Sequence, residues 1–267
     1  MTPLTSQKMR FLSNLQGERL SAVISDHLGL SRALVKRSID RGGCKVNGVV
    51  ERFASCRLQK GDFIDFELIN PPETSMQILF EDEDLLIFNK GVGVLSDHPM
   101  AVHRLDKPTS GVLVRAKHTK AKLAMEALFK TRQVEKVYLA HILGSFSEEE
   151  GTFKDSLILK GTFEGQKMWG FGAGGKEAIT HFRLLKQGKI STLELRPVTG
   201  RTHQLRVQLA SRGFPILGDT QYGRKSPAGF GYSRLMLHAY KIAFKHPLKG
   251  VDLILVAEPS ESFRKGK

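Results

Sequence analysis

The proline pair Pro71-Pro72 divides the chain, since it stands in a segment at 70–75 that reads Asn-Pro-Pro-Glu-Thr-Ser. Proline fixes φ and lacks a backbone N–H, so the pair excludes a helix interior or a central strand. Such composition is typical of a linker. We expect an N-terminal extension at 1–16, a small domain at 17–69, a linker at 70–76, a large domain at 77–259 and a flexible tail at 260–267.

The small domain is predicted to hold two helices, a hairpin and a closing strand. One face of the first helix follows the spacing i, i+3, i+4, i+7 and i+8. Its residues are Leu20, Val23, Ile24, His27 and Leu28. Ser31 is a suitable N-cap for the second helix, and Gly42 lies just past its end. Asn47-Gly48 predicts a tight hairpin turn, and the alternation of Ile64, Phe66 and Leu68 predicts a closing strand.

The second predicted helix is strongly basic. Its cations are Arg32, Lys36, Arg37 and Arg41. Two i, i+4 pairs place like charges side by side, which weakens an isolated helix unless an anion compensates them. The segment 31–60 holds eight basic residues against two acidic ones. An anion-binding face and a solvated basic face both fit this pattern.

The whole chain carries 41 basic and 27 acidic residues, a formal net charge of +14. This excess favours a polyanionic partner, and RNA, DNA and an anionic membrane surface all satisfy it. There is no apolar run of about 18 residues and no signal-like N-terminus, so we expect a cytoplasmic protein without a membrane span. Nothing indicates a dimer helix, so we expect a monomer.

Metal and cofactor sites are not indicated by the sequence. The two cysteines form no Cys-x-x-Cys pair, and the histidines lack metal-ligand spacing. The run at 170–176 nearly matches a phosphate-binding loop, yet Glu177 replaces the required Ser or Thr and no apolar strand precedes it. We interpret 170–176 as a mobile glycine loop and expect neither a metal nor a cofactor.

The large domain mixes strand and helix signals without regular βαβ alternation, which predicts an α+β fold. Helix-like segments occur at 120–132 and 202–212. Strand-like segments occur at 85–88, 134–143, 190–198, 242–244 and 253–256.

A single carboxylate, Asp106, stands among basic neighbours in the run at 103–111, which reads His-Arg-Leu-Asp-Lys-Pro-Thr-Ser-Gly. Pro108 and Gly111 predict a turn and exclude both a continuous helix and a central strand. A carboxylate beside cations stays ionised and can act as a nucleophile or a base. A surface turn with an Asp–Lys pair would have the same sequence.

A second polar run at 196–206 reads Arg-Pro-Val-Thr-Gly-Arg-Thr-His-Gln-Leu-Arg. It predicts a strand end, a turn at Gly200 and a helix start. Arg201 would lie at the helix N-terminus, where its guanidinium could clamp a phosphate or pair with a carboxylate. An exposed surface arginine is the other interpretation.

Several motifs occur in one order along the chain. They are His-Arg-Leu-Asp-x-x-Thr-Ser-Gly at 103–111, Lys-x-Tyr at 136–138, Thr-Gly-Arg-Thr-His-Gln at 199–204, Leu-Gly-Asp at 217–219 with Tyr-Gly at 222–223, and Leu-His-Ala at 237–239. This set resembles the RluA family of RNA pseudouridine synthases. Leu-Ser-Arg at 30–32, Val-Asn-Gly at 46–48 and Gly-Asp at 61–62 resemble the S4-type RNA-binding module. The combination is similar to the branch that modifies large-subunit rRNA.

The resemblance implies a catalytic domain with a mixed, largely antiparallel sheet flanked by helices and loops, preceded by a small S4-like α/β domain. Asp106 would be the catalytic aspartate, Arg201 its guanidinium partner and Tyr138 the tyrosine that packs on the target base. Arg104 would help to open the RNA and fill the vacated stack, and Leu205 would line the pocket. The S4-like module would contact RNA through Arg32, Lys36, Arg37 and Arg41.

The implied reaction breaks the N-glycosidic bond of a uridine, rotates the base and rejoins it through carbon. The catalytic carboxylate would attack C1′ or remove the C2′ proton to form a glycal, and the resemblance favours the glycal route. No redox step occurs, so no cofactor is implied. The expected partner is RNA, 23S-type rRNA or tRNA. A non-catalytic ribosome-assembly factor would share the basic charge without needing the carboxylate.

A few positions depart from the family pattern or stay outside the implied chemistry. Gly91 stands where the family usually has Pro, Pro108 where many members have an acid, and Gln208 where a His is usual. These departures affect loops that would contact RNA. We interpret His103 and His203 as scaffold residues.

Overall fold

The computed structural model describes residues 8–14, 16–28, 32–40, 42–67, 76–163, 165–223 and 232–264. The chain divides into two compact units, Met1–Glu73 and Thr74–Lys267. None of the helices in the described ranges has the length and apolar character needed to cross a membrane. Each unit has a hydrophobic core of its own.

The first unit packs two helices on a four-stranded antiparallel sheet of order β1-β4-β2-β3. Its elements are β1 (Lys8–Leu12), α1 (Leu20–Leu28), α2 (Arg32–Asp40), β2 (Cys44–Val46), β3 (Val49–Val50) and β4 (Phe63–Glu67). The predicted first helix, hairpin and closing strand are all present. Asn47 and Gly48 both have positive φ, as the tight turn requires. Part of the expected N-terminal extension instead forms β1, an edge strand on β4.

The second unit is built on one large sheet of order β10-β9-β11-β12-β8-β13-β7-β6-β5, with β14 beside β13. Its strands are β5 (Met76–Glu81), β6 (Leu85–Lys90), β7 (Ser110–Ala116), β8 (Glu135–Leu143), β9 (Glu150–Phe163), β10 (Gln166–Phe171), β11 (Lys176–Lys186), β12 (Ile190–Pro197), β13 (Leu237–Lys245) and β14 (Asp252–Val256). Its helices are α3 (Thr119–Lys130), α4 (Gln204–Ala210) and α5 (Glu261–Arg264). Among the described residues of this unit, all strand pairs are antiparallel except β13 with β7, and the mixed sheet with few helices confirms the predicted α+β class.

The parallel junction of β7 and β13 corrects one expectation about the run at 103–111. Gly111 does not end a turn outside the sheet but lies in the central strand β7, opposite Ala239. Its φ is +112°, and a Cβ there would collide with the carbonyl oxygen of Ala239. The expectation treated glycine only as a turn residue, whereas here it permits a close backbone approach within a sheet.

The expected flexible tail is wrong for 260–264. Residues Glu261–Arg264 form α5, and Phe263 is buried. The carbonyl of Phe263 accepts a hydrogen bond from His141, and its ring contacts His141 and His238. One buried aromatic side chain is therefore enough to dock this segment on the core.

The glycine run at 170–176 is also not a free loop. It spans the end of β10, a turn and the start of β11, and both of these strands pair with β9, which lies between them. A Cβ at Gly175 would lie 2.7 Å from the carbonyl oxygen of Leu157 on β9. The glycine therefore allows the turn to pack closely against the neighbouring strand.

Candidate active site

The two polar runs singled out in the sequence line one cavity of about 540 Å³ in the second unit. The turn before β7 supplies Asp106 and Arg104, β8 supplies Tyr138, and the segment from the end of β12 into α4 supplies Arg201 and Leu205. The cavity volume lies within the usual range of ligand pockets. Five of the predicted site residues are thus brought together.

The turn that carries Asp106 is held from several sides. Buried Lys90 donates to the carbonyls of Gly91, Val94 and Lys107, which ties the start of this loop to its end. Burial lowers the pKa of Lys90 to about 8, although the charge of Asp106 opposes that shift. His103 Nε2 accepts from the Val114 N–H, and burial lowers the pKa of this histidine to about 3. His103 is therefore a neutral residue that braces the turn, consistent with its interpretation as scaffold.

Asp106 is mostly buried and pairs with Arg206 on α4. Arg206 Nη1 donates to Asp106 Oδ2 over 3.2 Å, while Nε and Nη2 each donate over 2.8 Å to Asp219. Nη2 also donates to Gln221 Oε1. Burial alone would lower the pKa of Arg206, but its bonds to Asp219 raise that pKa above its ordinary value. The guanidinium is therefore a fixed positive charge beside Asp106.

The expected pairing of Arg201 with Asp106 is wrong, because Arg206 takes that place. Arg201 lies in the exposed turn before α4, and its Nε donates to the carbonyl of Glu177 over 2.9 Å. Arg206 lies within α4, most of which is buried, and its guanidinium contacts Asp106 and Asp219. Burial of Arg206 beside these two carboxylates distinguishes it from exposed Arg201.

Tyr138 lies on β8 with Ala239 and Leu195 as its partners on the flanking strands. It packs with Leu105 and Leu113 against the base of the cavity. Burial, and then the charge of Asp106, raise the pKa of its phenol. The side chain is therefore a neutral aromatic face with a protonated hydroxyl.

The rim of the cavity is basic. Exposed Arg104 and Arg201 line it together with Lys130, Arg132 and Lys136. Burial lowers the pKa of Lys136. A ring of cations around an apolar floor suits a ligand that combines phosphates with a planar base.

Sequence reasoning interpreted His203 as a scaffold residue and did not place it beside Asp106. His203 Nδ1 lies 2.8 Å from the hydroxyl of Tyr222, and His203 Nε2 lies 3.8 Å from Asp106 Oδ1. Asp219 Oδ1 accepts from the Tyr222 N–H. The motifs at 217–219 and 222–223 contain Asp219 and Tyr222. Arg206 could have been assigned from the rule that a buried arginine is paired with carboxylates.

Comparisons with known proteins identify the family of this chain. The family model for RNA pseudouridylate synthase matches residues 79–211. Ribosomal large subunit pseudouridine synthase D of Borreliella burgdorferi is 31% identical, over 88% of this chain and 84% of that protein. The chain belongs to the RluA family of RNA pseudouridine synthases. The enzymatic prediction is thereby confirmed, and the non-catalytic alternative is not supported.

Two further relatives of this pseudouridine synthase extend the comparison. Ribosomal large subunit pseudouridine synthase C of Vibrio cholerae is 30% identical, over 88% of this chain and 87% of that protein. The structure of human RNA pseudouridylate synthase domain containing 1 superposes with a TM-score of 0.61 at 27% identity. That match covers 69% of this chain and 84% of the human one.

The basic residues predicted in the first unit of the synthase are only partly described. Arg32 is exposed on α2. Lys36 pairs with Asp40 at 2.7 Å, so one cation of the predicted cluster already has an anion on its own helix. Arg37 lies on α2, but its side chain is outside the described set, as is the whole of Arg41. The S4-like role of this unit stays a prediction.

One group of potential metal ligands occurs among the described residues of the synthase. Ligand atoms of Asp82, Asp84 and His246 all lie within 4.8 Å of one another. Lys249 Nζ lies 2.8 Å from Asp82, and His118 lies 2.9 Å from Asp84. Side chains of the protein thus already compensate both carboxylates, and none of these residues lines the cavity.

Proposed function

We propose that Asp106 is the carboxylate with which this synthase opens the N-glycosidic bond of a uridine in large-subunit rRNA. One observation carries the proposal: the Asp106 carboxylate lies in the cavity with one oxygen paired to Arg206, and within the described residues the other oxygen has no guanidinium partner. The buried pair Arg206–Asp219 fixes that guanidinium in place. The carboxylate is thus oriented beside a fixed positive charge before substrate arrives.

The chemistry requires one carboxylate close to the sugar. In the isomerisation the N1–C1′ bond breaks and a C5–C1′ bond forms, while C5 loses a hydrogen and N1 gains one. An ionised Asp106 can attack C1′, or it can take the C2′ proton and return it after the base has turned. We favour the glycal route on the family resemblance.

The remaining cavity residues would hold the flipped uridine. Tyr138 offers an aromatic face for the base, and Leu205 an aliphatic wall. Extruding a base costs a few kcal/mol, which stacking and a filler for the gap offset. Exposed Arg104 on the rim is placed to be that filler. Arg201, with the other rim cations, would bind phosphates rather than the carboxylate.

The target is proposed from the relatives, which are named as ribosomal large subunit pseudouridine synthases C and D. The net charge of +14 suits a large structured RNA. The first unit, as an S4-like module, would add RNA contacts through Arg32 and its neighbours on α2. We place the enzyme in the cytoplasm as a monomer, as expected from its sequence.

Replacing Asp106 tests the catalytic assignment. We expect Asp106→Asn to abolish pseudouridine formation in 23S-type rRNA while RNA binding is largely kept. Asp155→Asn is the matched control, because Asp155 also pairs with an arginine, Arg212, but does not line the cavity. Isomerisation by Asp106→Asn at the wild-type rate would overturn the assignment.

Mapping pseudouridines tests the substrate. Ribosomal RNA and tRNA from cells with and without the gene would be compared, and the gene on a plasmid would restore the missing modification. We expect sites to disappear from large-subunit rRNA. Loss confined to tRNA would replace rRNA as the substrate and leave the catalytic proposal intact.

A further inference from the structure

His203 has an unusual conformation for a helix N-cap. It stands at the N-cap position of α4 with φ 56° and ψ 18°, in the left-handed region, and its side chain makes no capping hydrogen bond. A side chain with a Cβ adopts this region only at a cost in free energy. The imidazole instead lies between Asp106 and Tyr222.

The hydroxyl of Tyr222 determines which nitrogen of His203 carries hydrogen. The backbone N–H of Trp169 donates to this oxygen over 3.2 Å, and His203 Nδ1 lies 2.8 Å from it. One lone pair of the oxygen is thus occupied, and the hydroxyl hydrogen is available for His203 Nδ1. Tyr222 itself is anchored by its N–H to Asp219 and by its ring beneath the guanidinium of Arg206.

The two tautomers of His203 differ in what they present to Asp106. If Nδ1 accepts from Tyr222, then Nε2 carries the hydrogen and faces Asp106 Oδ1 at 3.8 Å. The opposite tautomer would direct a lone pair at the carboxylate. Burial lowers the pKa of His203 although the charge of Asp106 opposes this, so the neutral ring is favoured at neutral pH.

We propose that His203 is a positioning residue that presents an Nε2–H to Oδ1 of Asp106, with its tautomer set by Tyr222. The inference rests on the proposed function only in taking Asp106 as the reacting carboxylate. Arg206 then holds one carboxylate oxygen and His203 the other, so the rotation of the carboxyl group is restricted. When uridine fills the cavity, the gap of 3.8 Å closes to hydrogen-bond length.

Nitrogen NMR tests the tautomer without reference to activity. The full chain would be labelled with ¹⁵N-histidine, and His203→Gln would identify the signals of this ring. We expect a protonated Nε2 in the wild type, and a shift toward protonated Nδ1 in Tyr222→Phe, because that variant lacks the donor. A wild-type ring with hydrogen on Nδ1 would overturn the proposal. This result stands whatever becomes of Asp106→Asn.

Kinetics of two matched variants test the effect on Asp106. His203→Leu and His203→Gln bear the same left-handed backbone cost, but only Gln keeps an N–H. We expect Leu to lower the single-turnover rate about 10- to 100-fold, the usual effect of losing a hydrogen bond to a charged group. The Gln variant should recover most of the single-turnover rate. In both variants KM should change much less than the single-turnover rate of the Leu variant does.

The pH–rate profile separates positioning from a merely structural effect. The charged groups that act on His203 are Asp106, Arg104, Arg206 and Asp219. His203→Leu leaves these four groups in place but removes a hydrogen-bond donor to the Asp106 carboxylate. The acid limb of the pH–rate profile should therefore move to higher pH. An unchanged acid limb together with an unchanged rate would overturn the proposal. If the Leu variant does not fold, Tyr222→Phe provides the same comparison with a smaller expected loss.

Discussion

Arg206 Nη1 lies 3.2 Å from Asp106 Oδ2, although the two residues stand 100 positions apart in the chain. The same guanidinium is bound on its other side by Asp219, whose side chain is fully buried. A buried arginine between two carboxylates is stable only while both charges are present. The same side chain therefore contacts both the proposed reacting carboxylate and a buried acid in the core of the second unit.

Replacing Arg206 should affect stability and activity together. Arg206→Met leaves Asp219 buried without its partner, which we expect to cost about 3–5 kcal/mol in the free energy of unfolding. Urea denaturation would measure this loss, and no pseudouridine should form. Arg212→Met, at the partly exposed pair with Asp155, is the control and should cost clearly less. An equal decrease in the free energy of unfolding of the two variants would contradict the larger stabilising role assigned to Arg206.

Gly111 should tolerate no side chain. Gly111→Ala meets both the positive φ and the collision with Ala239, so we expect destabilisation by about 2–4 kcal/mol. Because Gly111 follows the turn of Asp106, activity should also fall. Gly188→Ala is the control, since its Cβ would lie no closer than 3.5 Å to any neighbouring atom. Thermal unfolding of both variants decides the matter, and a Gly111→Ala protein as stable as wild type would refute the close approach.

Acid should weaken the fold through His238. This buried ring accepts from Ser110 and donates to the Ala257 carbonyl, and burial lowers its pKa to about 4. Between about pH 4 and about pH 6.5 this histidine is protonated in the unfolded chain but neutral in the folded protein. The free energy of unfolding therefore has its full value above about pH 6.5 and falls toward about pH 4. The loss from this one group amounts to about 3 kcal/mol.

The acid prediction is checked by urea denaturation at several values between pH 7.5 and pH 4. His238→Gln removes the titrating ring, so its stability should fall less steeply over this interval than that of the wild type. Parallel curves for the two proteins would show that His238 does not govern the acid sensitivity.

Docking of α5 should be worth several kcal/mol. Phe263→Ala removes a buried ring that contacts His141, His238 and Arg234, and large-to-small changes of this kind cost about 3–5 kcal/mol. Ile254→Ala on β14 is the control, because Ile254 is 65% exposed. Chemical denaturation of both variants would measure the free energy of unfolding. An unchanged value in Phe263→Ala would show that α5 is not docked on the core.

Local patterns predicted much of the fold. The spacing of apolar residues predicted α1 (Leu20–Leu28) to the residue, and Asn47-Gly48 predicted the turn between β2 and β3. Both features depend on neighbours in sequence. The long strands β9, β10 and β11 gave no clear signal. They form hairpins whose faces are partly exposed, so a strict alternation of apolar residues is not required of them.

The site was predictable in its carboxylate and less so in its partners. Asp106 stood out because a lone acid among cations in a turn is unusual. The choice between Arg201 and Arg206 depended on which arginine the fold buries beside Asp106 and Asp219, and the role of His203 depended on a left-handed backbone. These are properties of tertiary packing, which sequence spacing near a helix start does not determine.

The parallel pairing of β7 with β13 also has a consequence for biosynthesis. Ser110 pairs with His238, so the strand that carries the end of the catalytic turn leaves the ribosome 128 residues before its partner. Until β13 is made, β7 lacks a neighbour on that side and the backbone beside Gly111 has nothing to approach. A nascent chain therefore carries all the residues of the Asp106 turn long before it can hold them in place, and β7 acquires this neighbour only after β13 has been made.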